Sequence, residues 1–491
     1  MLTRRHFCGM TACGLALGAG AGCTVNPATG RRDLILVGGA PQKALGAREH
    51  PKILAKFGGV YGDRAAAGYV AVIGGRLAAA SESPNLGFTF TLLDSPVVNA
   101  FALPGGFIYI SRGLMALAED EAELAGVLGH EIGHVVARHS AQRRSRALLA
   151  QLGAGLLGAL GGGDTAQLAG TVAGLYLRGY SRDQELEADM LGIRYLRRTG
   201  YDVDAMASFL SKLRANSRLE AKIAGRPPDE VDAYDIAATH PRTVARVRQA
   251  AALAGGARRG AARRERDAFF EIIDGMVFGG GAEQGYILGR RFAHPKLRFE
   301  FSVPAGFRLR NSPDRVEAQS KRDQAQIIFD QAPQPYRGAM TAYIGQRWAH
   351  NVRVNGLEAI AINGFPAATG TVRGRSGNVA VEIRLIAIRY DARRVYRFMV
   401  TAPRRSMRRL ATALQRMTYS FRRLSVAQAA ALQPKRLRIV AAGPDATPDG
   451  FAPRMAFAEF RRERFAVLNG LGDTGSLAGR KRVKIVTRQG R

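Results

Sequence analysis

His130 and His134 stand four residues apart, with Glu131 beside the first, in the run Gly129-His130-Glu131-Ile132-Gly133-His134. On a helix, residues at that spacing lie on one face. The two imidazoles can therefore hold a single metal ion, and the Glu131 carboxylate can reach a water bound to it. The chemistry this suggests is metal-assisted hydrolysis. The pattern has only three fixed letters, so its surroundings must decide the reading.

Those surroundings predict helices. Residues 119–138 read as one, with Leu124, Val127, Leu128, Ile132, Val135 and Val136 spaced for a buried face. A second helix is predicted from Ser181, and it carries Glu185 and Asp189. These carboxylates are also four apart and share a face. One can bind the metal while the other accepts a hydrogen bond from a ligand histidine and fixes its tautomer. Glu187 is the rival ligand. It lies two residues from Glu185 on another face and reads as a solvated helix carboxylate. His139, five residues beyond His134 and off the ligand face, reads as a packing or hydrogen-bonding histidine.

The cysteines narrow the donor set. All three, Cys8, Cys13 and Cys23, lie in the first 23 residues. A mature chain without them can form no internal disulfide and no thiolate site, so a metal must be held by His and carboxylate. Thr3-Arg4-Arg5-His6-Phe7 resembles a twin-arginine export signal, and a weakly apolar stretch follows to Gly22. Cys23 ends Leu17-Gly18-Ala19-Gly20-Ala21-Gly22-Cys23, a degenerate lipobox with Gly20 where Leu is usual. Lipidation at Cys23 is expected. The chain is then exported, to the periplasm or to a membrane to which the lipid anchors it. The stretch 147–177 is rich in Gly, Ala and Leu, but Gly161-Gly162-Gly163-Asp164 splits it. Each arm is shorter than the ~20 residues of a spanning helix, which predicts a buried or interfacial helical hairpin.

Length and charge bound the rest. The 491 residues are 46% hydrophobic and carry a formal net charge of +32. That is enough chain for several cores, and the charge favours anionic surfaces. The arginines are scattered and no nucleic-acid motif occurs, which argues against nucleic acid. An anionic membrane or a cell-wall polymer suits the export signal better. The expected fold class is α+β and multidomain. Residues 1–23 form the export signal and 24–255 a mainly helical domain with a small sheet. Residues 256–291 are a linker, 292–425 a β-rich α+β domain, and 433–488 a small C-terminal unit.

Several segments together resemble peptidase family M48, the gluzincins that include CAAX prenyl proteases and HtpX-type proteases. They are Asn99-Ala100-Phe101-Ala102-Leu103-Pro104-Gly105-Gly106, then Gly113-Leu114, the His130–His134 helix, Ser181-Arg182 with Glu185, Ala188-Asp189, and His240-Pro241. The likeness covers about residues 41–254 and is closest to secreted or lipid-anchored bacterial members. It implies one Zn2+ held by His130, His134 and Glu185, with Glu131 as general base and Asp189 behind a ligand. It implies an active-site place for His240, as a ligand that blocks water or as a transition-state donor, and for Arg246 after it. The activity implied is zinc metalloendopeptidase. Polypeptide substrates would bind extended, pairing with the predicted strand 97–102, which makes Asn99 and Ala100 candidate substrate-binding residues.

The C-terminal unit, with Leu468-Asn469-Gly470-Leu471 near its middle, resembles a divergent LysM-type module of strand-helix-helix-strand order. That implies peptidoglycan as a partner. Two functions follow as expectations. One is quality-control proteolysis of unfolded or misassembled envelope proteins, close to outer-membrane assembly machinery. The alternative is a cell-wall-binding or chaperone-like factor with latent or weak proteolysis.

Overall fold

The computed structural model describes residues 22–35, 39–145, 179–232, 240, 244–255, 262–472 and 475–488. Residues 1–21 of the predicted export signal 1–23 and the predicted hairpin at 147–177 lie outside the described residues, whereas Gly22 and Cys23 belong to a strand. Among the described residues, no helix is long and apolar enough to cross a membrane. The chain divides into two compact units. One comprises the described residues of Met1–Met276 with Arg436–Thr487, and the other is built from Val277–Lys435.

The first unit opens with a two-stranded ribbon, β1 (Gly22–Val25) and β2 (Arg32–Ile35), which places Cys23 opposite Leu34. Two helices follow, α1 (Gly39–Lys56) and α2 (Arg64–Ala79). They are separated where Gly58 and Gly59 take φ of 87° and 85°, and Asp63 then caps α2 by accepting from Ala65 and Ala66. Strands β3 (Thr89–Leu93), β4 (Ala100–Leu103) and β5 (Phe107–Ser111) form a sheet of order β3-β5-β4. The β3–β5 pairing is parallel and β4–β5 antiparallel, so β4 is an outer strand.

After the short α3 (Arg112–Leu117), helix α4 (Glu121–Val136) carries the His-Glu pattern. Asp120 caps it by accepting from the Glu123 amide, and Glu121 and Glu123 complement the helix dipole in its first turn. Nearly every residue of α4 is buried. It is the central rod of the unit, in contact with α2, α5 (Arg182–Arg198), α6 (Asp204–Ile223) and β4. The approach to α5 depends on glycine. A Cβ on Gly129 would lie 3.2 Å from the Gly192 Cα, and one on Gly133 would lie 3.1 Å from the Ala188 carbonyl oxygen. Closely spaced backbones allow short carboxylates on α5 to reach the α4 histidines. Ser181 and Gln184 close a capping box that fixes where α5 starts. Helices α7 (Val244–Ala254) and α8 (Arg266–Ile273) complete this part.

The C-terminal segment belongs to the same unit. Strands Lys435–Ala441 and Arg482–Thr487 pair antiparallel, with Pro448–Phe451 and helix Arg461–Leu468 between them. Asn469 is fully buried and braces the turn after that helix. Its Nδ2 donates to the carbonyls of Phe465 (3.0 Å) and Lys484 (2.8 Å), and its Oδ1 accepts from the Lys484 amide (2.7 Å).

Lys484 is also fully buried. Its ammonium donates to the last carbonyls of α3 and the residue beyond, Ala116 (3.2 Å), Leu117 (3.0 Å) and Ala118 (2.7 Å), and lies 3.1 Å from Glu119. Burial pushes Lys484 down to about 8. Burial would raise Glu119, but the surrounding cations, Lys484 foremost, hold it at about 2. Removing one partner of such a pair strands the other. Lys484→Met is therefore expected to cost about 3 kcal/mol in chemical denaturation. Because Glu119 is lowered on folding, its contribution is complete above its ordinary value and is lost as pH falls through about 2. The stability gap between wild type and Glu119→Gln should accordingly narrow as pH is taken from 6 towards 3 in denaturant melts.

The second unit is dominated by a seven-stranded antiparallel sheet. In spatial order its strands are Arg308–Asn311, Arg315–Ser320, Ala325–Gln331, Val395–Pro403, Val379–Arg389, Phe365–Ser376 and Asn355–Ile362. Helix Arg404–Ser420 packs Met407, Leu410, Leu414 and Met417 into an aromatic core with Phe299, Phe301, Phe329 and Phe398. This sheet falls within residues 292–425, the stretch expected to be β-rich.

Candidate active site

His130, Glu131 and His134 come from α4, Glu185 and Asp189 from α5, His240 from the segment before α7, and Arg246 from α7. One ligand atom from each of His130, His134, Glu185 and His240 lies within 4.8 Å of every other. The two α4 imidazoles face each other through Nε2 atoms 3.0 Å apart. Glu185 reaches both, at 3.6 Å from His130 Nε2 and 3.5 Å from His134 Nε2. His240 Nδ1 lies 3.0 Å from Glu185 and 3.1 Å from His130, and its Nε2 lies 3.3 Å from Glu131. All these groups are buried except His240, whose side chain keeps 14% of its exposure.

The outer groups set the tautomers. His130 Nδ1 lies 2.8 Å from Asp189 Oδ1. A carboxylate can only accept, so the proton sits on Nδ1 and the Nε2 lone pair points at the cluster. Arg246 grips Asp189 with two parallel bonds of 2.7 Å and reaches Glu185 at 2.6 Å. This fork is the charge-assisted geometry that arginine favours.

Electrostatics follow from burial and these pairs. Burial would raise Glu185, but the His240 and Arg246 charges hold it well below the usual carboxylate range. Burial raises Glu131, and His240 and His130 oppose that only in part. Burial and the neighbouring His130 drive His134 well below the ordinary imidazole range. Opposite effects act on His240, where Glu185 and Glu131 overcome burial and raise it.

These residues fit a divalent metal ion. Two imidazole nitrogens facing each other at 3.0 Å and an ionised carboxylate form an N,N,O donor set with no thiolate. Glu131 Oε2 is buried and makes no hydrogen bond among the described residues, as suits a carboxylate aimed at a reacting group. Residues 64–254 match the model of Peptidase family M48.

Residues 64–254 are thus similar to an M48 peptidase domain.

Curated relatives agree. The chain is 36% identical over 172 residues to a putative beta-barrel assembly-enhancing protease of Vibrio cholerae, covering 33% of this chain and 34% of that one. It is 35% identical over 192 residues to the beta-barrel assembly-enhancing protease of Escherichia coli, covering 37% of each. It is 36% identical over 137 residues to the mitochondrial metalloendopeptidase OMA1 of Arabidopsis thaliana, covering 28% of each. The chain thus spans about a third of the length of these relatives.

Beside the cluster lies a cavity that is partly open to solvent. Asn99 and Ala100 line it together with His130, Glu131, His240 and Arg246. Asn99 is held by Ser111, whose hydroxyl accepts from its amide and whose amide donates to its carbonyl, each at 3.0 Å. The far wall was not anticipated from sequence. Met206, Phe209, Leu210 and Leu213 on α6 present one apolar face to the cavity. Their i, i+3, i+4, i+7 spacing marked a buried stripe, but nothing local said that the stripe borders the site. Tyr180 was also missed. Its ring stacks on His134 with centroids 3.9 Å apart and 16° between planes.

Proposed function

We propose that the chain is a zinc metalloendopeptidase that hydrolyses unfolded or misassembled envelope proteins, and the observation carrying this is the buried His130, His134, Glu185 cluster with Glu131 poised beside it. The M48 match and the names of the relatives support the reading. His130, His134 and Glu185 would hold the ion, which supplies Lewis acidity to an attacking water and to the peptide carbonyl. Glu131 takes the proton of that water and passes it to the leaving amine nitrogen. Its raised proton affinity suits both acts. Asp189 fixes the tautomer of His130, and Arg246 keeps Asp189 and Glu185 ionised in a buried place. An extended substrate pairs along outer strand β4, with Asn99 and Ala100 at its entry to the cavity.

The α6 wall makes the neighbouring subsite apolar, so a bulky apolar side chain flanking the scissile bond is preferred. His240, which bonds Glu185 and reaches Glu131, would block the attacking water and keep the site latent until it moves; its contacts with both carboxylates support this reading. Export, lipidation at Cys23 and a location at an anionic periplasmic membrane surface are proposed from the N-terminal signal and the charge of +32. The strand-helix-helix-strand order supports a LysM-type ancestry for the C-terminal segment. Asn469 and Lys484 face inward, which supports a role in bracing the unit to which the segment belongs.

One experiment tests substrate class and latency together. Unfolded casein is digested by wild type and His240→Ala, and the cut sites are mapped by mass spectrometry. Cuts should cluster beside Leu, Phe and Met at about tenfold over Asp and Gly, and His240→Ala should cut faster than wild type. Uniformly scattered cuts would contradict the apolar subsite, and equal rates would contradict latency.

A further inference from the structure

Two side chains outside the expected ligand set form a second line behind the metal site. His139 is fully buried and Glu187 keeps only 19% of its side-chain exposure. His139 Nε2 lies 3.0 Å from Glu187 Oε2, and His139 Nδ1 lies 2.7 Å from His134 Nδ1. The direction of this chain is fixed by its end. Glu187 only accepts, so a neutral His139 carries its proton on Nε2 and leaves Nδ1 as an acceptor. A nitrogen–nitrogen contact of 2.7 Å then requires His134 to donate from Nδ1. The lone pair of His134 is thereby confined to Nε2, which is the atom facing His130 and Glu185.

The backbone supports the arrangement independently. Arg138, between the end of α4 and the helical residues 139–145, takes φ of 58°. That left-handed conformation is costly for a residue with a Cβ and is usually given to Gly or Asn. Here it turns the chain back at once and sets the His139 ring edge-on to His134, with centroids 4.9 Å apart and planes at 71°. Tyr180 stacks on a face of His134 and is anchored through its hydroxyl to Ser140 at 2.8 Å.

We infer that Glu187 and His139 are positioning residues that lock the tautomer and ring orientation of His134 for metal binding. They mirror what Asp189 does for His130. Helix α5 therefore serves the site three times from alternate residues: Glu185 towards the metal, and Glu187 and Asp189 behind the two histidines. The inference rests on the proposed metal site and extends it.

The test is zinc affinity of the full mature chain, measured with Zn2+ alone by competition with a chromophoric chelator. Wild type, Glu187→Leu, Glu187→Gln and His139→Phe are compared, with melting temperatures of the metal-free proteins beside them. Loss of such an outer partner is expected to weaken affinity about 10- to 100-fold in Glu187→Leu and His139→Phe. Metal-free melting temperatures should shift little for Glu187→Leu, which lies near the surface. Glu187→Gln keeps an acceptor for His139 and should recover most of the affinity. In ¹⁵N-histidine spectra of the metal-free protein, His134 should be protonated on Nδ1 in wild type and lose that signature in His139→Phe. Affinities equal to wild type within twofold, or His134 protonated on Nε2 in wild type, would overturn the relay and leave the proposed function standing. Failure of wild type to bind Zn2+ would overturn both.

Discussion

Glu131→Gln should retain its metal and lose peptide hydrolysis by about 10²- to 10⁴-fold, the range of a general base. The change is nearly isosteric, and the side chain is only 2% exposed. What disappears is the ability to take a proton. Burial raises Glu131 from the ordinary carboxylate value, which makes it a better acceptor and a better donor to the leaving amine than a solvated carboxylate. A thousandfold loss corresponds to about 4 kcal/mol of activation free energy. Zinc content, melting temperature and casein cleavage measured on one preparation separate this from misfolding. A variant that lost zinc and activity together would mean that Glu131 holds the cluster rather than acting in the reaction.

Arg246 carries the second large expectation, and it concerns folding. Its guanidinium is 5% exposed and faces Asp189 and Glu185, two carboxylates almost without solvent. Arg246→Met would leave both carboxylates buried without a guanidinium partner. Breaking a buried pair in this way costs about 3–5 kcal/mol. Arg246→Lys should recover little of it, because an ammonium cannot make the two parallel bonds to Asp189 and still reach Glu185. Denaturant unfolding of the metal-free chain checks this. A loss below about 1 kcal/mol would show that the clamp is dispensable. Bound metal should narrow the deficit, since it offers Glu185 another cation.

Much of the site was legible in the chain because helix periodicity places residues four apart on one face. His130 with His134 and Glu185 with Asp189 needed no long-range information. Their meeting did, and the determinant was the pair of glycines on α4, Gly129 and Gly133, whose missing side chains let α5 approach. Glu187 was misread as solvated for a related reason. Two residues from Glu185 it does point elsewhere, but that direction holds His139, which only the reversal at Arg138 brings there. The apolar wall from α6 was visible as a stripe and could not be assigned a neighbour. At the C-terminus, the Leu-Asn-Gly-Leu text suggested ligand binding. The structure spends Asn469 on the Phe465 and Lys484 backbone, and Lys484 itself on the end of α3.

The measurement that tests the central claim most directly is a metal titration of casein cleavage. The mature chain is stripped with a chelator, dialysed, and assayed as Zn2+ is returned. Cleavage should be absent in the stripped protein and return in full at one zinc per chain, and a Glu185→Ala sample should stay inactive at that stoichiometry. Undiminished cleavage by the metal-free protein would contradict a metal-dependent site at His130, His134 and Glu185.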